Sequence, residues 1–387
     1  MINGDPGFDV WGMDVSRYGD WVTRAFTNVK VRENYSRRFS IRFPNEELPA
    51  GRPIRTTPIY DLMISNGAQM GEAFGLEQPL WFAPEGVQEE FSWRRSSDFQ
   101  PVAEEVKTVR ERVGMIETSG FAKYVIQGED AELWLDQILA CRIPEEGRMR
   151  LAPMLNEGGK LIGDFTLTRL EDEGFLLIGS GVAEEYHLRW FSEHLEQDLD
   201  VQLNSQSSTI LGLAVAGPKS RELMQKVTGL DFSTKVFRFM SMKQVPVGLV
   251  DCLVGRISYT GDLGYEIWME AYNQRTVFEC LLREGEEFGI GLFGIRALNS
   301  LRLEKNYGSW VREFRPIYSP LEAGLGEIPG ESRGGEASLD LVANPQLGEG
   351  QLQVECNPIS EVKGSRVLHR LGPGGPLGPK WRNFPRK

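Results

Sequence analysis

The stretch at 151–170, LAPMLNEGGKLIGDFTLTRL, restricts the possible folds more than any other. Asn156-Glu157-Gly158-Gly159-Lys160 supplies turn residues between two apolar runs, so the segment predicts strand, tight turn, strand, an antiparallel pair whose register the turn sets. A second such unit stands far downstream at 257–270, ISYTGDLGYEIWME. There a strand carrying Ser258 and Tyr259 runs into a Thr260-Gly261-Asp262 turn, and the next strand alternates Tyr265, Ile267 and Met269 against Glu266 and Trp268. Each unit holds one acid inside an apolar strand, Asp164 in the first and Glu266 in the second. A carboxylate there gives up hydration and strand propensity, so it lies on a solvent face or is kept for chemistry. The solvent face is the commoner fate of a single strand acid.

Amphipathic helices alternate with these hairpins. A helix is predicted at 102–112, where Glu104, Glu105, Lys107, Arg110 and Glu111 offer charge pairs at helical spacing. A strand at 121–127 follows, then a helix entered through Gly128-Glu129-Asp130, with Leu133, Trp134, Ile138 and Leu139 as its buried stripe. After the central hairpin come a strand at 175–178 and a helix at 183–195. From Ile210 the scheme repeats: a strand, a Gly217-Pro218 turn into a helix, strands at 245–250 and 253–258, the second hairpin, and a helix at 274–288. Hairpins interleaved with helices indicate an α+β fold of tandem antiparallel-sheet and helix units, 96–208 and 209–326. Residues 1–95 are broken by Pro and Gly, with helical patches near 21–37 and 58–65, and carry Trp11, Trp21, Trp81 and Trp93, an aromatic load suited to packing against a larger body. The tail at 327–387 is rich in Gly and Pro, has little periodicity, and is expected not to form a folded domain.

Composition narrows the function classes. The 43 basic and 55 acidic side chains leave a formal charge of -12, with no basic stripe to offset phosphate repulsion, so nucleic acid is not expected as a partner. Cys141, Cys252, Cys280 and Cys356 are widely separated and fit neither a zinc site nor a disulfide framework. Reduced thiols point to a cytoplasmic protein, or one of the mitochondrial matrix in a eukaryote. His187 and His194 lack a nearby thiol or carboxylate partner in sequence and are read as packing or surface residues, with no metal expected. No basic-then-apolar leader and no run of 18 apolar residues occurs in the sequence, so neither secretion nor a membrane is expected. No GxGxxG follows a predicted strand, so nothing here is expected to cradle a dinucleotide.

Six segments in order carry a family resemblance: VGMIETSGFAKYVIQGEDAELWLDQIL, MLNEGGKLIGDFTLTRL, FLLIGSGVAEEYHLRWFSEHL, LGLAVAGPKSRELMQKVTG, ISYTGDLGYEIWME and ALNSLRLEKNYGSWVREFRPIYSPLEAGL. Together they resemble the folate-binding part of the glycine-cleavage T-protein family of aminomethyltransferases, most closely the C-terminal part of dimethylglycine and sarcosine dehydrogenases. WGMDVSRYGDW and RTTPIYDLMISNGAQMGEAFGLEQPLWFAPEG resemble the tail of the flavin half of those dehydrogenases. The resemblance implies a fragment without the flavin domain and the final barrel domain, with FAD in full-length relatives and not expected here.

The same resemblance implies a function. It is a tetrahydrofolate-dependent one-carbon transferase module, forming 5,10-methylene-tetrahydrofolate from a methylated-amine-derived unit, with a separate flavin-containing subunit as a candidate partner. Asp164 matches the family's catalytic carboxylate near the reacting folate nitrogens. Glu266 matches the acid that accepts from the ring N–H and exocyclic amine of the pterin. Phe165, Thr166, Tyr259, Ile267 and Trp268 complete the implied folate-binding set. Two positions depart from the T-protein pattern: Leu298 replaces an arginine that meets the substrate, and Leu151 replaces a tyrosine. Arg302 and Glu304, in the same predicted helix as Leu298, are read mainly as partners in structural pairing. The alternative reading is a non-catalytic regulatory or binding module on the same scaffold.

Overall fold

The computed structural model describes residues 10–171, 174–310 and 312–325, and the expectation for the tail at 327–387 falls outside them. In chain order the first elements are helices α1 (Arg24–Ser36) and α2 (Tyr60–Ser65), strands β1 (Ala68–Ala73) and β2 (Leu76–Phe82), and helix α3 (Phe99–Glu111). Next come β3 (Val113–Glu117), β4 (Ala122–Gln127), α4 (Ala131–Ile138), β5 (Met149–Leu155), β6 (Leu161–Arg169), β7 (Phe175–Gly179), α5 (Glu184–Glu193) and β8 (Gln202–Ser205). The remainder comprises β9 (Ile210–Ala216), α6 (Ser220–Thr228), β10 (Met242–Val247), β11 (Val250–Gly255), β12 (Gly264–Glu270), α7 (Gln274–Gly285), β13 (Ile290–Leu292) and α8 (Ile295–Glu304). The fold is α+β, with a six-stranded sheet in the order β10-β11-β12-β9-β3-β13 and a five-stranded sheet in the order β5-β6-β7-β4-β8.

The sheets do not divide at residue 209 as the chain order predicts. β3 leaves the first unit and pairs antiparallel with β9 and parallel with β13, so α3 and β3 belong to the six-stranded sheet. An apolar strand between two unsatisfied edges gains more ladder bonds there than at the end of the five-stranded sheet. A further correction concerns 1–95, where β1 and β2 form a hairpin that turns through Phe74 and Gly75, both at positive φ. Pro79 inside β2 argues against a strand, but it is tolerated here in a two-stranded ribbon with a register shift between Gln69 and Met70. Trp81 is fully buried in this region and Trp11 nearly so, whereas Trp93 is exposed.

Each sheet buries one face against helices. Leu213, Val215, Tyr265, Ile267 and Met269 of the six-stranded sheet pack with Leu223 of α6 and Val277 and Leu281 of α7. Tyr124, Phe165, Leu167 and Leu177 of the five-stranded sheet pack with Trp134 and Leu135 of α4 and Phe191 of α5. Within α4 the stripe shifts by one position from its predicted place: Leu135 is buried and Leu133 is exposed. The opposite faces of the two sheets meet in a third layer, where Met149, Leu176 and Ile178 pack on Met242 and Trp268. A fourth cluster seats Val109 of α3 and Ala297 and Leu301 of α8 on Ile116, Ala214 and Ala216 of the six-stranded sheet. A slot therefore opens where α8 stops covering that sheet and the other sheet begins.

Candidate active site between the two sheets

On β6 the alternation sends Phe165 toward α5, where its ring lies 4.7 Å from that of His187, and sends Asp164 and Thr166 to the inter-sheet side. Thr166 pairs with Ile178 of the inter-sheet layer, which fixes that side. A register shift in the β5–β6 ladder next to Met154 leaves Ile162 as the extra residue, two positions before Asp164. The Ile162 carbonyl accepts a hydrogen bond of 3.1 Å from Nε2 of the buried His187, whose imidazole burial pushes down to about 3 and so keeps neutral. A bulge of this kind bends a strand and re-aims the side chain beside it. Asp164 is half-buried, its Oδ1 has no hydrogen-bond partner among the described residues, and burial raises its carboxyl to about 7.

On β12 the alternation is the one the sequence predicts, with a different consequence. Tyr265, Ile267 and Met269 enter the helix-side core, while Glu266 and Trp268 face the slot, so no face of this hairpin is left to solvent. Glu266 is half-buried and burial raises it to about 7; the Trp268 indole N–H eases its ionisation without completing a hydrogen bond. Ser258 and Tyr259 lie on the loop between β11 and β12 and not on a strand, because the β10–β11 turn at Gly248-Leu249 falls three residues earlier than the predicted register requires. Gly248 sits at φ +61, where a turn favours glycine, and Leu249 is fully exposed.

A small cavity is lined by Glu266, Tyr259, Ile116, Thr118, Phe121, Ala214 and Ala216, with Phe293 and Leu298 also in its wall. The Tyr259 hydroxyl donates to the Gly308 carbonyl, and its ring stacks on Tyr307 at 6.4 Å. Burial pushes the phenol up to about 12, with the Arg302 guanidinium opposing and the Asp164 carboxylate adding to the rise. Tyr259 thus borders both acids: it shares the cavity with Glu266 and lies within electrostatic reach of Asp164. Arg302 is buried and donates to the Tyr307 carbonyl at 2.8 Å and to Glu313 at 3.0 Å, and Glu304 pairs with Arg110, so both serve structural pairing.

The structure therefore gathers Asp164, Thr166, Tyr259, Glu266 and Trp268 on the inter-sheet side, and places Phe165 and Ile267 in the two helix-side cores. These two are corrections, and the reason is the period of two: each is the sequence neighbour of a site acid and so points to the opposite face. Leu298 supplies an apolar wall. Sequence reasoning missed Thr118, Phe121 and the wall made by Ala214 and Ala216, whose small side chains at alternate positions of one strand were the available signal. Leu151, at the position of the family tyrosine, is exposed.

Residues 59–328 match the GCVT N-terminal domain, and residues 3–57 match the FAD dependent oxidoreductase central domain. The chain belongs to the GCVT family. This GCVT chain is 37% identical to mitochondrial dimethylglycine dehydrogenase of Rattus norvegicus over 329 residues, 84% of this chain and 38% of that protein. It thus spans well under half the length of that relative. It is also 27% identical to the mitochondrial pyruvate dehydrogenase phosphatase regulatory subunit of Mus musculus, over 90% of this chain and 40% of that one. Among solved structures, glycine cleavage system aminomethyltransferase T from Bartonella henselae shares the fold, with TM-score 0.62 and 23% identity over 75% of each chain.

Proposed function

We propose that this GCVT chain is a tetrahydrofolate-dependent one-carbon transferase module that forms 5,10-methylene-tetrahydrofolate from a methylated-amine-derived unit. The observation that carries the reading is the presence of two carboxyls, Asp164 and Glu266, on the inter-sheet side of different sheets, each poised near neutrality, with Tyr259 lining the cavity of Glu266 and lying within electrostatic reach of Asp164. An enclosed acid with a free lone pair is an acceptor waiting for donors. A pterin presents two adjacent donors, its ring N–H and its exocyclic amine, and in this reading Glu266 accepts both. The apolar walls from Ile116, Phe121, Phe293 and Leu298 suit the faces of a flat ring.

Asp164 takes the chemical role. When the one-carbon unit arrives at the oxidation level of an iminium ion, a folate nitrogen would add to its carbon and lose a proton, and the second nitrogen would then displace the donor's amine, which leaves carrying that nitrogen's proton, to close the methylene bridge. A carboxylate beside those nitrogens stabilises the cation as it develops and accepts the proton. With burial raising its carboxyl to about 7, Asp164 is matched to such a transfer near neutral pH. Leu298 in the wall leaves no cation there for an anionic carrier, which favours a small methylated-amine donor as in the dehydrogenase relatives. Flavin chemistry, which would generate the iminium, belongs in this reading to a flavin-containing partner.

Isothermal titration with 5-formyl-tetrahydrofolate tests the reading. Saturable one-to-one binding supports it. Absence of binding rejects it and favours a non-catalytic regulatory or binding module, a regulatory role being the one named for the phosphatase subunit among its relatives.

A further inference from the structure

Three rows of side chains cross the inner face of the six-stranded sheet. Ile116, Ala214 and Glu266 stand side by side on β3, β9 and β12, since Ile116 pairs with Ala214 and Ala214 with Glu266. Two positions along, the Thr118 amide donates to the Gly212 carbonyl at 3.0 Å and Gly212 pairs with Trp268, which makes a second row of Thr118, Gly212 and Trp268. Ala216 begins the third. The middle strand thus carries only Gly212, Ala214 and Ala216 on this face, a trough with Thr118 on one bank and Glu266 and Trp268 on the other. The trough has no room for more: a Cβ on Gly212 would stand 2.4 Å from Thr118 Oγ1 and 2.4 Å from the Trp268 ring.

Thr118 is only 6% exposed, lines the same cavity as Glu266, and its Oγ1 has no hydrogen-bond partner among the described residues. A threonine hydroxyl in such a place is unfavourable unless something satisfies it, and valine, of the same shape, would fill the space without that penalty. Its neighbour Ser119 behaves differently, donating to Glu117 at 2.9 Å and accepting from Gln274 at 2.8 Å.

The geometry points to Thr118 as a second polar anchor for the ligand of this slot, bonding through its hydroxyl to a heteroatom on a ring edge that Glu266 does not reach. The inference rests on the folate reading and deepens it. The ligand is a flat heterocycle with polar atoms on two separate edges, bound over Ala214 and Ala216, where the cavity lies. Glu266 takes paired donors, and Thr118, able to donate or accept, takes one further atom. Phe121 then acts as a wall, its ring set edge-to-face against that of Trp268 at 6.5 Å.

The test compares the parent chain with Thr118→Val and Thr118→Ser by titration with 5-formyl-tetrahydrofolate and by thermal unfolding without ligand. Thr118→Val is expected to raise the dissociation constant by about 3- to 10-fold, the range for one neutral hydrogen bond. It should leave the melting temperature of the ligand-free protein unchanged or higher, because no protein bond is lost. Thr118→Ser, which restores the hydroxyl, should bind as the parent does. If Thr118→Val binds as tightly as the parent, or melts several degrees lower without ligand, the hydroxyl is structural and the inference fails while the folate reading stands. If the parent itself does not bind, both fail.

Discussion

Asp164 and Glu266 have ordinary carboxyl values of 3.8 and 4.5 and are raised to about 7 by burial. The native chain then keeps protons that the unfolded chain has released, so stability falls as pH rises from the ordinary carboxylate range toward 7 and levels above it. Asp164→Asn and Glu266→Gln each remove one such linkage. Each variant should exceed the parent in stability at about pH 8 by roughly 1–3 kcal/mol, with the difference vanishing at about pH 4, as read by urea unfolding. A pH-independent difference contradicts the assignment. Function divides the two acids. Asp164→Asn should leave folate affinity within about tenfold and reduce methylene-transfer rate by more, as for a group that acts chiefly in the transition state. Single-turnover kinetics with formaldehyde as the carbon donor measures this, and equal losses of affinity and rate for Asp164 and Glu266 variants remove the division.

Among the elements, α8 shows how the slot is held. Glu105 on α3 is buried and accepts from the amides of Phe82 at 2.7 Å and Gly294 at 2.8 Å, so one carboxyl ties the end of β2 to the start of α8. Burial nevertheless raises it to about 7. From sequence Glu105 is one of five charged residues suited to surface pairing, and only Glu104 with Lys107, at 2.7 Å, takes that role among the first three. Glu105→Ala leaves two buried amides unpaired and should destabilise the fold by about 2–4 kcal/mol, with weaker folate binding because α8 carries the Leu298 wall. A variant as stable as the parent would show that the amides find other partners. What the sequence made legible is what local rules govern: the β5–β6 hairpin with its Asn156 turn, the opposition of Glu266 to Ile267, and α5 through α8. The β1–β2 ribbon is local but is masked by Pro79 inside its second strand, whereas the pairing of β3 with β9 and the place of Thr118 beside Glu266 depend on which distant strands meet. No window of neighbouring residues contains that information.

At the scale of the molecule, the chain after α8 links the two sheets. Trp310 and Phe314 are buried in the core of the five-stranded sheet, with Trp310 at 5.6 Å from His187, and the Leu161 amide donates to the Tyr318 carbonyl at 2.8 Å. Tyr259 bonds to Gly308 on the same crossing segment. Trp310→Ala should therefore cost about 3–5 kcal/mol in unfolding free energy and loosen the slot. A small change in stability without loss of folate binding would show that the sheets hold together without it. The central claim is that Glu266 holds a folate ring by its ionised carboxylate, and the affinity for 5-formyl-tetrahydrofolate as a function of pH tests it most directly. Because the free acid titrates at about 7, the account predicts an association constant that rises by roughly tenfold between about pH 6 and pH 8 in the parent. Glu266→Gln should bind weakly and without that rise, and a parent curve that is flat, or a variant that binds as the parent does at every pH, contradicts the account.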